Sequence, residues 1–215
     1  RQYDGYRFTP EKGFTPMFNP FSVLNALAKS RFGDYWFASG TPTFLVEILK
    51  KTNFDLRELD GIEVSSASLS DDRANISNPV PMIYQSGYLT IKSFDQRFRT
   101  YTLGFPNEEV KYGFLNFVAP FYTPVASTDT TFYIGKFVHE LETGETEAFL
   151  TRLSCFFADF PYELNEKTER HYQVVFYLVF KLMGQFTQAE VRTAIGRADA
   201  VVKTADYLSV FEFKL

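Results

Sequence analysis

The stretch from 166 to 214 constrains this chain most. Through residues 166–183 apolar side chains recur at helical spacing, at Tyr172, Phe176, Val179, Phe180 and Met183, between a candidate cap at Asn165 and Gly184. Three short segments with strand character follow at 186–192, 198–203 and 208–214, and Thr204-Ala205-Asp206-Tyr207 makes a tight turn between the last two. A helix followed by three strands in so short a span predicts an α-β-β-β unit in which the helix packs its apolar face on an antiparallel sheet.

Strand alternation then selects the residues that share a face. In 208–214, Leu208, Val210, Glu212 and Lys214 fall on one side and Ser209, Phe211 and Phe213 on the other. A four-residue turn pairs Lys203 with Leu208, and the same register sets Asp199 opposite Glu212, with Cβ atoms about 5 Å apart. Two carboxylates that close repel each other and favour a hard divalent cation between them. Mg²⁺ fits, because it takes oxygen ligands and keeps several waters. Such a site suits phosphoryl chemistry: the metal polarises a phosphoryl oxygen while Lys214 orients water or stabilises developing charge. Glu169, three residues before Tyr172 and seven before Phe176, is expected on the inward face of the helix at its first turn. Glu190, with Arg192 two residues on, is a candidate site-lining residue, and Arg197 a candidate phosphate contact. An acid-x-Lys triplet arises by chance about once per 140 residues. Alone, Glu212-Phe213-Lys214 therefore also fits an edge strand charged against aggregation.

Composition bounds the rest. The chain has 215 residues, more than the roughly 100–150 of one ordinary core, so two compact units are expected. Hydrophobic residues make up 45% and charged residues 22%, which excludes a disordered chain. The 25 Phe and 13 Tyr suit aromatic cores or, less simply, surfaces that stack on bases. A net charge of −4 means that any nucleic-acid surface must be local. One cysteine, Cys155, excludes an intrachain disulfide, and no apolar run approaches the roughly 20 residues of a membrane helix, so a soluble cytoplasmic protein is expected. The chain opens at Arg1 without Met or a signal-like segment, and that end reads as a cut. His139, His171 and Cys155 are too few and scattered for zinc, and no GxSxG elbow is present. The only Gly-Lys, Gly135-Lys136, is followed by Phe137, which excludes a Walker A loop.

Upstream, helices are expected at 19–31, where Asn19 caps and Pro20 starts an apolar series through Phe21, Leu24 and Leu27, and at 41–51, where Thr41 caps and Pro42 follows. Residues 60–78, rich in Ser, Asp and Asn, read as a mobile surface connection. A short helix to Gln85, a hairpin made of 88–94 and 97–105, and a helix starting at Asn107 with Glu108 and Glu109 in its first turn suggest a winged-helix-like module. A helical stretch over 129–160 is interrupted at Gly144.

The strings ERHYQVVFYLVFKLMG, AEVRTAIGRADAVV and YLSVFEFKL resemble the C-terminal nuclease-like domain of bacterial, Bacteroides-type proteins that begin with an AAA-ATPase-like domain. YDGYRF, NPFSVLNAL, DYWFASGTPTFL, SGYLTI and PNEEV resemble the end of that ATPase-like region, so the likeness spans nearly the whole chain. The resemblance implies an α+β protein: a helical, winged-helix-like part over 1–125, a connector over 126–160, and a partial PD-(D/E)XK, restriction-endonuclease-like core over 161–215. It gives Asp199, Glu212 and Lys214 the superfamily's Asp, Glu and Lys positions and Glu169 the acid of the first core helix. It further implies Mg²⁺ at the site, DNA or RNA as partner, and ATP bound only by the upstream domain of the parent, not by this chain. The superfamily core continues beyond its acid-x-Lys strand, so this chain alone is expected to be catalytically silent. The alternative is a non-catalytic nucleic-acid- or protein-binding module with a degenerate nuclease fold, for which a basic wing at Lys92, Arg97 and Arg99 is the expected mark.

Overall fold

The structure is a computed structural model that describes residues 2–10, 14–39, 43–52, 54–69, 78–123, 129–158, 169–194 and 197–214. At 38, 39, 50, 158, 169–171, 192–194, 197–199, 213 and 214 the backbone alone is described. The chain forms two compact units, Arg1–Phe114 and Leu115–Leu215.

In the first unit α1 (Pro20–Lys29) begins as its sequence predicts. The Asn19 side chain accepts a hydrogen bond from the Ser22 amide at 3.0 Å, satisfying a donor that the first helical turn leaves open. Its apolar series does not reach the core, however: Phe21, Leu24 and Leu27 are exposed, as are Met17, Phe18 and Phe32 beside them. Helix α2 (Thr43–Lys51) buries Leu45, Val46 and Leu49. Its expected cap and first residue, Thr41 and Pro42, lie outside the described residues. Next come β1 (Glu63–Ser65), α3 (Ser66–Leu69), α4 (Val80–Gln85), β2 (Thr90–Asp95), β3 (Thr100–Gly104) and α5 (Glu108–Tyr122). Asn107 caps α5, its side-chain oxygen accepting from the Val110 amide at 3.0 Å.

The hairpin β2–β3 forms where alternation places it, but the sheet has a third strand, in the order β1-β3-β2. Strand β1 and helix α3 fall inside the stretch read as a mobile connection. A three-residue strand is too short to alternate visibly. It exists because Glu63, Val64 and Ser65 pair with Thr102, Tyr101 and Thr100, and only Val64 is buried. Residues 70–77 of that stretch lie outside the described ones. The unit's core is aromatic at its centre, where the Tyr88 ring lies 5.4 Å from Phe114 and 5.7 Å from Phe37.

The second unit contains α6 (Thr130–Glu142), α7 (Thr146–Ala158), α8 (Glu169–Met183), and the antiparallel meander β4 (Gln188–Ala194), β5 (Arg197–Lys203) and β6 (Leu208–Lys214). Gly144 separates α6 from α7 at φ 75°, and a Cβ there would stand 2.8 Å from the Tyr207 ring, so both conformation and space require glycine. Helix α8 departs from the predicted one-sided stripe: every residue from Gln173 to Phe180 is buried. A helix apolar on all sides is a core helix, covered from more than one direction. The inner side of the sheet supplies Ala200, Val202 and Phe211, and the Phe211 ring lies 5.0 Å from Phe149 and 5.2 Å from Phe180. Strand β4 begins two residues later than the alternation suggests. Among the described residues, no helix is long and apolar enough to cross a membrane.

Candidate active-site face

The β5–β6 turn sets the register of everything beyond it. The Thr204 amide donates to the Tyr207 carbonyl at 2.9 Å and the Tyr207 amide to the Thr204 hydroxyl at 3.1 Å, closing a four-residue loop. Lys203 consequently pairs with Leu208, and one residue pair after another follows to Asp199↔Glu212 and Arg197↔Lys214. This is the register that the turn length predicts. On the other side of β5, Val201 pairs with Glu190 and Asp199 with Arg192.

Because partners directly across a ladder share a face, these pairings define rows running across the sheet. One row holds positions 192, 199 and 212, the next holds 194, 197 and 214, and a third holds 190, 201 and 210. Neighbouring rows are about 7 Å apart, two residues of strand rise. The alternate positions, Ala200, Val202 and Phe211, are buried under the helices, while Glu190, Lys203, Glu212, Leu208 and Val210 are exposed. Leu208 and Val210, on the same side of β6 as Glu212, are 66% and 67% accessible.

The structure thus brings positions 199 and 212 together directly, with 197 and 214 in the adjoining row and 190 in the row on the opposite side. Arg192, linked in sequence only to Glu190, stands in the row of Asp199. Glu169 opens α8, and its side chain, like those of Asp199, Arg197 and Lys214, is outside the described residues. Two acidic positions in one row would offer oxygen ligands of the kind Mg²⁺ takes, one or two carboxylates with water retained. Cys155 is exposed, and among the described residues no three His, Cys, Asp or Glu side chains gather at metal-binding distance.

One buried acid was missed. Glu109, read only as a first-turn residue, is 1% exposed, and its Oε1 accepts from the Ser22 hydroxyl at 3.1 Å and the Trp36 amide at 2.9 Å. Burial raises its carboxyl above the ordinary range, against the lowering effect of those hydrogen bonds. The sequence did carry a signal in Gly113, one turn later on the same side of α5. A Cβ there would stand within 2.2 Å of the Phe37 ring, so this face of the helix is packed closely.

Residues 167–215 match the family model of the PD-(D/E)XK nuclease superfamily. Over 221 residues the chain is 30% identical to a protein of Azotobacter chroococcum mcd 1 described as an uncharacterised protein in the vnfD 5′ region. That match covers 99% of this chain and 42% of the relative, so the chain spans less than half the length of the relative. No solved structure matches.

Proposed function

We propose that the open face of the β4-β5-β6 sheet hydrolyses nucleic-acid phosphodiesters with the help of magnesium. The observation that carries this reading is the register pairing Asp199 with Glu212 and Arg197 with Lys214, in a segment that matches a nuclease superfamily. In the proposal Asp199 and Glu212 hold the metal, whose contribution is Lewis-acid polarisation of the phosphoryl group. Lys214 orients the attacking water by hydrogen bonding and stabilises negative charge as it develops on the phosphate. Arg197, paired with Lys214 across the ladder, holds a phosphate oxygen, and its planar fork suits two-point contact. Glu190 lines the approach from the adjoining row, and Glu169 orients a proton-carrying group from the helix start. The likeness to ATPase-headed bacterial proteins supports control of this chemistry by an ATPase domain elsewhere in the parent.

The test is cleavage of duplex and single-stranded DNA and RNA by the full-length parent, with magnesium and with EDTA, beside Lys214→Ala and Asp199→Asn. Metal-dependent cleavage that both variants lose is expected. Absent cleavage, or cleavage indifferent to Lys214, would leave the fold as a degenerate scaffold for binding.

A further inference from the structure

The tip of the β2–β3 hairpin is built with more care than a simple connection needs. Asp95 fastens the loop: its Oδ1 accepts from the Arg97 amide at 2.8 Å and the Phe98 amide at 3.0 Å. Arg99 adopts a left-handed conformation at φ 52°, which costs a non-glycine residue about 1 kcal/mol. Its carbonyl is fastened by two donors from the start of α3, the Ser66 amide at 3.2 Å and the Ser66 hydroxyl at 3.1 Å. Below the tip, Ser93 and Thr102 hydroxyls bond at 2.8 Å on one side of the ribbon, and Phe94 and Tyr101 rings lie 4.7 Å apart on the other.

The loop presents an apolar ring and two cations at the surface. Phe98 is 66% exposed, with the Arg97 guanidinium 5.0 Å from its ring centre. Arg97 and Arg99 are exposed, and among the described residues neither has an ion pair. Lys92, expected in the same basic wing, lies in strand β2 away from the turn. It sits in the β2 bulge beside a cleft of about 530 Å³ with Asp4, Asp60 and Lys111, where partial desolvation lowers its affinity for a proton. The tip is therefore two unpaired guanidiniums flanking one apolar ring.

We propose that this tip is a contact for duplex DNA, with Arg97 and Arg99 on backbone phosphates and Phe98 against base edges in the groove between them. Charge complementarity selects a polyanion. A two-stranded ribbon is narrow enough for the major groove, about 12 Å wide, where an apolar side chain can meet a thymine methyl. Single strands are bound instead along grooves or flat stacking platforms, which a protruding tip is not. In the sheet order β1-β3-β2 the hairpin turn joins β3 to the outer strand β2. The inference is independent of the catalytic reading, because no residue of the β4-β5-β6 sheet enters it.

Fluorescence anisotropy of a short labelled AT-containing duplex in EDTA, with the 215-residue chain over a range of salt concentrations, separates binding from cleavage. Arg97→Gln/Arg99→Gln should weaken binding at least tenfold and lower the slope of log affinity against log salt by about 2, one unit per phosphate contact. Phe98→Ala should weaken binding several-fold with the slope unchanged. Arg31→Ala/Lys51→Ala, the same change in charge at exposed positions of α1's end and α2, should bind as the original does. Circular dichroism establishes that each variant is folded. Equal loss in that control, no loss in the tip variant, or competition by polyglutamate as effective as by duplex would overturn the proposal, the last in favour of an acidic protein surface.

Discussion

Both units of this chain contain a three-stranded antiparallel sheet, and the two place their charges in opposite ways. The meander β4-β5-β6 joins its last two strands through a four-residue turn and sets positions 199, 212, 197 and 214 in two adjoining rows. The sheet β1-β3-β2 keeps its buried side on the aromatic core and projects its cations from the hairpin end, at Arg97 and Arg99. A meander has local pairings throughout, so an entire face can be spaced by one turn. The β1-β3-β2 order needs a strand from far earlier in the chain. In the two proposals made above, chemistry belongs to the sheet whose register is local and recognition to the tip of the other.

The largest effect that tests this division is catalytic. Lys214→Ala in the parent protein should lower metal-dependent cleavage by a factor of about a thousand, the scale of losing a donor to developing charge. Glu212→Gln, at an exposed position, should alter thermal stability by no more than about 0.5 kcal/mol while abolishing cleavage. A large stability change would show that the open face has a structural role.

Next is the core beneath that face. Phe180 is fully buried and lies 5.2 Å from Phe211, so Phe180→Ala should cost about 3 kcal/mol in denaturant unfolding. The single tryptophan, Trp36, lies in the first unit, and its fluorescence should keep its midpoint while far-ultraviolet circular dichroism shows an earlier transition. Coincident shifts would show the two units to be one cooperative structure.

Gly5→Ala should act the other way round. At φ 101° a Cβ would stand 2.0 Å from the Pro106 carbonyl oxygen, so the backbone must shift, and about 2 kcal/mol of destabilisation should appear in the Trp36 signal. The smallest effect concerns Glu109. Its folded carboxyl has raised proton affinity, so the native state binds more protons than the unfolded state as pH rises above the ordinary value of 4.5. Stability is therefore lost as pH climbs from there through the raised folded value. Glu109→Gln keeps the oxygen that accepts from Ser22 and Trp36, and it should flatten this dependence and add about 1 kcal/mol at neutral pH. An unchanged pH profile would show that Glu109 is not its source.

The parts of this molecule that could be read from its sequence share a short range. Asn19 capping α1, Gly144 parting α6 from α7, and Lys203 pairing with Leu208 all depend on residues a few positions apart. The register of Asp199 and Glu212 was legible for the same reason: period-two alternation carries the geometry of a four-residue turn outward without loss. The exposure of Phe21, Leu24 and Leu27 was not legible, since an apolar helical stripe states a preference for cover but not whether the fold supplies it.

By itself, then, the sequence determined the starts of α1 and α5, the hairpins β2–β3 and β5–β6 and which charged positions share a row in that last hairpin. Only the tertiary structure decided that Glu63, Val64 and Ser65 form a strand, that Glu109 is buried against Ser22 and Trp36, that α8 is enclosed, and that Lys92 lines a cleft with Asp60 and Lys111. The physical reason lies in the distance along the chain. Caps, turns and alternation are fixed by neighbouring residues, whereas strand order and burial depend on pairings between segments tens of residues apart, which local patterns do not encode.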